Sequence, residues 1–216
     1  MDIYKNYLKR TIDFICAAIM LVVISPILLI VAFIVKLDSK GPAVFVQERL
    51  TLGGRVFKMY KFRTMCVNAE QQGTGAYSFG NDPRITKVGK ILRSLSLDEL
   101  LQLVNILKGD MSFVGPRPIL TYHPCRYEDY TEEEKIVFTV RPGITGWAQV
   151  NGRNSVDWVQ RFKMNEWYVQ HISLWLDLKI VIMTVVQVFS RKEIVIQGET
   201  AKAFENRRKG YDEKKV

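Results

Sequence analysis

Residues 93–118 read RSLSLDELLQLVNILKGDMSFVGPRP. Ser96 followed three residues later by Glu99 has the form of a capping box. Leu100, Leu103, Val104 and Leu107 recur at helical spacing. Lys108 suits a last turn, and Gly109 suits the left-handed stop beyond it. The pattern predicts a helix over 96–109 with Asp98 and Glu99 in its first turn. Gly115-Pro116-Arg117-Pro118 then forces an extended turn that fixes Arg117 between two prolines.

Working outward from this stretch, residues 41–65 read as a hairpin around Gly53-Gly54, with β-prone runs on either side. Residues 66–84 are polar and glycine-bearing, which predicts a mobile loop with a turn at Asn81-Asp82-Pro83. Thr131 and Glu134 form a second capping box ahead of a short helix near 132–139. A glycine-punctuated loop runs from Arg141 to Arg153. Residues 157–171 are helical and aromatic-rich, and 172–189 are apolar enough for a core or interfacial helix. The expected division is a membrane segment over 1–40, a catalytic domain over 41–190 and a basic tail over 191–216.

Residues 14–35 are almost wholly apolar, long enough at about 1.5 Å per residue to cross a bilayer. A cleaved signal fits poorly: no small-residue cleavage site follows. Ser25-Pro26 interrupts the run midway, where proline removes a backbone donor and the serine hydroxyl can answer a freed carbonyl. Lys5, Lys9 and Arg10 precede the run, and Lys36, Lys40 and Arg49 follow it. Positive charge marks the cytoplasmic side, and here it stands on both sides. A helix that bends at Ser25-Pro26 and returns to the same face satisfies this. A proline-kinked spanning helix also stands on these features alone.

The 216 residues carry 31 Lys+Arg against 22 Asp+Glu, a formal charge of +9, with 48% hydrophobic residues. This is a globular composition that favours an anionic partner: phosphorylated substrate, anionic lipid or nucleic acid. Three scattered cysteines and two histidines, His123 and His171, argue against a zinc site and for reduced thiols. Both histidines read as structural.

Adjacent acids in a first helical turn also serve the helix dipole, and that alone would explain Asp98 and Glu99. The chemical reading rests on the cations around them: Arg93 before, Arg117 after, Lys58 and Lys61 in the hairpin. Cations around paired acids suit a diphosphate and a divalent metal, and a screened carboxylate can attack phosphorus. Arg117 could equally be a surface turn. Gly143, Gly146 and Gly152 could line a phosphate-binding loop or simply make turns. A basic membrane adaptor would explain the charge and the apolar run but not the acids placed among cations.

Three stretches together resemble the monotopic phosphoglycosyl transferases, the bacterial sugar transferase family: KMYKFRTM at 58–65, the stretch at 93–118, and RPGITGWAQVNGR at 141–153. The likeness covers nearly the whole chain and is nearest to the small initiating enzymes of bacterial N-linked glycosylation. The 66–84 loop is more like that of polysaccharide members. Arg63 stands where lysine is common, Trp147 occupies a variable position, and the multi-helix domain of large members is lacking.

The resemblance implies a mixed, helix-rich α/β fold with a re-entrant membrane helix broken at Ser25-Pro26 and interfacial amphipathic helices. It implies transfer of a phosphosugar from a UDP-sugar to undecaprenyl phosphate, with release of UMP. Asp98 would be the nucleophile and Glu99 its partner acid, both near Mg²⁺. Lys61, Arg93, Arg117, Arg141 and Arg153 would hold phosphates. The implied location is the cytoplasmic face of the bacterial inner membrane. Expected partners are membrane lipid, downstream glycosyltransferases or a second copy, but not nucleic acid.

Overall fold

The computed structural model describes residues 3–73, 75, 82–122, 124–152 and 158–189. Helix α1 runs over Lys9–Asp38, preceded by a wider π-type turn at Tyr4–Leu8. Strands β1 (Val44–Leu50) and β2 (Val56–Phe62) pair antiparallel from Val44↔Phe62 to Leu50↔Val56, turning at Gly53 and Gly54 with positive φ, as the hairpin reading required. Then come α2 (Lys87–Ser94), α3 (Gln102–Lys108), β3 (Ser112–Val114), α4 (Glu132–Lys135), β4 (Gly143–Thr145), α5 (Trp147–Asn151), α6 (Trp158–Gln170) and α7 (Leu174–Phe189). β3 and β4 pair in parallel. The fold is mixed and helix-rich.

α1 is helical through Pro26, with no non-helical residue at Ser25-Pro26. Pro26 lacks the N–H that would reach the carbonyl four residues back, and the Ser25 hydroxyl donates to that Val22 oxygen at 2.8 Å. One substitute bond keeps the helix going.

One stripe of α1 faces the rest of the protein along its length. Asp13, Ala17, Leu28, Val31 and Val35 are buried on it, with Leu21 and Ile24 packed between. The first half meets Phe57, Met59, Leu103 and Ile106, and the second half meets Phe62 and Leu92. The remaining faces are apolar and exposed, with Val22, Leu29, Phe33 and Leu37 each at least 65% accessible. α7 adds a similar face, on which Trp175 is 80% exposed.

Both ends of α1 are clamped. Arg10 donates to the Ile106 and Leu107 carbonyls at 2.6 and 3.1 Å. At the far end Arg63 donates to the Val35, Ser39 and Lys40 carbonyls and the Ser39 hydroxyl, occupying the orphan acceptors of the helix C-terminus. Asp177 of α7 accepts from Tyr4, Lys9 and Tyr168, tying α7 to the start of the chain.

The loop expected to be mobile is internally tied in its described part. Arg84 forms a buried pair with Asp82 and donates to the Ala69, Gln72 and Gly75 carbonyls at 2.6–2.8 Å. Asn81 and the tail at 191–216 lie outside the described residues.

Candidate active site

The acids do not sit on the predicted helix. Ser96 has a left-handed backbone (φ 55°) and makes no side-chain cap, so the expected capping box with Glu99 is absent. A cap residue needs an extended backbone, as Thr131 has at the second box, which does form with Glu134. Asp98 and Glu99 instead ride a tight 3-10 turn, Leu97–Glu99, between α2 and α3. Leu97, Leu100 and Leu101 pack against a cluster formed by Leu28, Val31 and Val35 of α1, Phe62 of β2 and Leu92 of α2, while Glu99 reaches the hairpin lysine Lys61. α3 ends as predicted, at Gly109 with φ 87°.

Asn105 fixes the turn against β2. Wholly buried in α3, it accepts from Tyr60 N at 3.0 Å and donates to Lys58 O at 2.8 Å, imitating a strand neighbour. The antiparallel register puts Phe45, Gln47 and Arg49 beside Lys61, Met59 and Phe57 on the inner face of the hairpin. Lys58, opposite Glu48, is on the other face and exposed. Lys61 therefore reaches Glu99, Nζ to Oε1 at 2.7 Å. The Arg117 guanidinium approaches the same oxygen at 3.6 Å. Arg93 donates to the Thr64 hydroxyl at 2.8 Å and lies within the field of Asp98.

The two neighbouring acids have opposite electrostatic fates. Burial pushes the Asp98 carboxyl up, and the adjacent Glu99 charge adds to this against Lys61 and Arg93, so it titrates at about 6. Burial also opposes ionisation of Glu99, but Lys61 and Arg117 outweigh it and hold Glu99 well below the usual carboxylate range. Glu99 is a permanent anion spoken for by cations. Asp98 is the acid whose charge is poorly compensated, the condition of a reactive group.

A small recess, open to solvent, lies beside Glu99. Its lining includes Arg49, Lys61, Glu99, Gln102, Arg117 and Gly143. Gly143 and Gly146 have a structural reason to be glycine. A Cβ on Gly143 would stand 2.1 Å from Gly115 N, and one on Gly146 2.0 Å from Gly115 O. The close contact of β3 and β4 holds the Pro116-Arg117-Pro118 turn over the recess.

Of the expected site residues, Asp98, Glu99, Lys61, Arg93 and Arg117 are brought together. Arg141 is not with them: its Nε donates to Gly109 O at 2.8 Å, behind α3. Arg153 lies outside the described residues. Ser25 and Pro26 lie within α1. Sequence reasoning treated Arg49 only as flanking charge and passed over Gln102 and Asn105. Alternation along β1 from a correct hairpin register would have turned Arg49 inward.

The bacterial sugar transferase family model matches residues 4–191. The chain belongs to that family. This sugar transferase is 44% identical over 192 residues to the uncharacterized sugar transferase EpsL of Bacillus subtilis (strain 168), a match covering 88% of this chain and 89% of that one. It is 43% identical over 193 residues to the UDP-glucose:undecaprenyl-phosphate glucose-1-phosphate transferase of Escherichia coli (strain K12), covering 87% of this chain and 41% of that one. It is 40% identical over 182 residues to the UDP-N-acetylgalactosamine-undecaprenyl-phosphate N-acetylgalactosaminephosphotransferase of Aeromonas hydrophila, covering 83% and 43%. The chain thus spans well under half the length of the two relatives with named substrates.

Proposed function

We propose that this sugar transferase moves a sugar 1-phosphate from a UDP-sugar to undecaprenyl phosphate on the cytoplasmic face of a bacterial membrane. The observation that carries the reading is the electrostatic split between the adjacent Asp98 and Glu99, with Glu99 lining a recess beside Arg49, Lys61 and Arg117. The names of the Escherichia and Aeromonas relatives support the substrates.

In the proposed first step an ionised Asp98 oxygen attacks the sugar-bearing phosphorus of the UDP-sugar. A bond forms between that oxygen and phosphorus, and the bridge to the nucleotide breaks. The electron pair leaves with UMP. In the second step an oxygen of undecaprenyl phosphate attacks the same phosphorus, and Asp98 departs as carboxylate. Lys61, Arg93 and Arg117 screen the approach of an anion to an anion. Glu99 keeps Lys61 and Arg117 in place.

Two carboxylates are few for a protein-built metal cage, but Mg²⁺ draws most of its oxygens from substrate phosphates and water, so the pair fits it. Held by Asp98 and Glu99, Mg²⁺ would supply further charge neutralisation on the diphosphate.

For the membrane, the reading is that both ends of α1 stay on one face. Basic residues flank both ends, and the charged domain lies along the helix from Arg10 to Ser39. A straight crossing would carry that domain into hydrocarbon. Thiol labelling of cysteines placed near Lys5 and Lys40 in spheroplasts tests this; labelling of either from outside refutes it. For the chemistry, the protein is mixed with UDP-sugars without lipid acceptor and weighed intact. A phosphosugar adduct on Asp98 with stoichiometric UMP is expected. An adduct on another residue, or direct transfer with none, overturns the mechanism.

A further inference from the structure

Arg49 is a half-buried cation that lines the recess beside Lys61 and Arg117, and the expected phosphate-binding set did not include it. No carboxylate among the described residues forms an ion pair with it within 4.0 Å, whereas Lys61 and Arg117 both reach Glu99. Its hydrogen bonds go to neutral acceptors. Nε and NH2 share the Gln47 Oε1 atom at 3.0 and 2.5 Å, and NH1 donates to Pro118 O at 3.0 Å. A guanidinium has five N–H donors, so two remain that no described residue accepts.

The fork is also held still. Gln47, on the same hairpin face, donates in turn to Glu70, and β1 meets the strand-like segment after Pro118 through a bridge between Arg49 and Leu120. The net effect is a fixed positive charge next to Arg117, which repels it, offset only in part by the more distant Glu70 and Glu99. Burial and that repulsion lower the Arg49 guanidinium to about 10. Two arginines and Lys61 around the single Glu99 carboxylate leave the recess with an excess of positive charge that suits an anion.

We propose that Arg49 is a further phosphate-binding residue, gripping the diphosphate of the nucleotide sugar from the side opposite Glu99. This rests on the reading above that the recess takes a nucleotide diphosphate. The free N–H pair would meet phosphate oxygens as a fork, a geometry lysine cannot reproduce. The bond to Pro118 O joins the two arginines mechanically, so that Arg49 and Arg117 close on one ligand.

The test compares UDP with uridine as ligands for the full chain in nanodiscs, by competition calorimetry, for wild type, Arg49→Gln and Arg49→Lys. A phosphate contact weakens UDP binding by about tenfold or more in Arg49→Gln, leaves uridine within about twofold, and gives Arg49→Lys an intermediate loss. UDP affinity within about twofold of wild type in Arg49→Gln overturns the assignment while leaving the proposed function standing. An equal loss for UDP and uridine also overturns it, because a general distortion of the recess is then the cause. Arg49→Lys keeps a donor for Pro118 O, so it reports even where the glutamine variant folds poorly. Wild type that binds no UDP overturns the parent reading, and this one with it.

Discussion

Asp98→Asn should make the protein more stable at neutral pH while abolishing turnover. The carboxyl rises from its ordinary value near 3.8 to about 6 in the folded protein, chiefly through burial and then through Glu99. At about 1.4 kcal/mol per pKa unit, the ionised form costs the fold at most about 3 kcal/mol. Asp98 is only partly buried and the amide must also be desolvated, so about 1–2 kcal/mol is the realistic gain. In a chain of this size that raises Tm by roughly 3–6 °C.

The sign follows from proton counting. Between pH 4 and 6 the folded state holds the Asp98 proton and the unfolded state has lost it. Stability therefore falls as pH rises through that window, and the full penalty is present above about 6. The advantage of Asp98→Asn should accordingly be largest at pH 7 and vanish near pH 4. Thermal unfolding in nanodiscs at a series of pH values, followed by tryptophan fluorescence, measures it. Under the proposed mechanism, in which the carboxylate attacks, the same titration should give kcat/KM an acid limb near pH 6 in the wild type. Destabilisation of Asp98→Asn at pH 7, or a Tm difference independent of pH, would refute the electrostatic account of the pair.

Arg117→Lys should lose most activity, because a planar fork can hold two phosphate oxygens and a lysine ammonium offers one charge without that geometry; steady-state kinetics with full activity would return Arg117 to a plain turn residue. Ser96 holds φ 55°, so Ser96→Gly should keep or slightly raise stability, while Ser96→Val should cost about 1–3 kcal/mol in chemical unfolding and misplace the acids. Asp13 of α1 accepts from the Ser112 hydroxyl at 2.6 Å and from Phe113 N at 3.3 Å. Asp13→Ala should cost about 1–3 kcal/mol and lower kcat more than it raises KM, since β3 leads directly to Arg117; an unchanged kcat per folded enzyme would count against that link.

The parts legible in the sequence were those fixed by local chemistry. The Gly53-Gly54 hairpin, the Thr131–Glu134 cap and the Gly109 stop depend on residues a few positions apart, and all three form. Ser96–Glu99 has the same local spelling as Thr131–Glu134, yet packing decides against it. Leu97, Leu100 and Leu101 reach the cluster of Leu28, Val31, Val35, Phe62 and Leu92 as the chain turns sharply after α2, and that turn takes Ser96 into the left-handed region where it cannot cap. Arg84 shows the opposite error: a polar, glycine-bearing loop reads as loose, but one buried arginine gathers three of its carbonyls. Arg49 was hidden because its role needs the pairing of β1 with residues some seventy positions later. Arg141 donates to Gly109 O at the end of α3, a placement that a basic residue in a glycine-rich loop does not announce.

α1 is more than an anchor in this arrangement. Arg10 holds the C-terminal carbonyls of α3, whose other end continues from the turn bearing Asp98 and Glu99. Asp13, a buried acid on an otherwise apolar stripe, holds the start of β3, which leads to Arg117. Leu28, Val31 and Val35 support the acidic turn from beneath. The segment bearing Asp98 and Glu99 and the strand leading to Arg117 are therefore both tied to one helix, and that helix presents its remaining faces as exposed apolar surface. A soluble enzyme gains nothing from building its site on such a helix, since the exposed apolar area would favour aggregation. Under the proposed function, bringing a water-soluble nucleotide sugar to a phosphate fixed at a lipid surface, such an arrangement gives registration: a helix lying in lipid would also set where the Asp98 carboxylate stands.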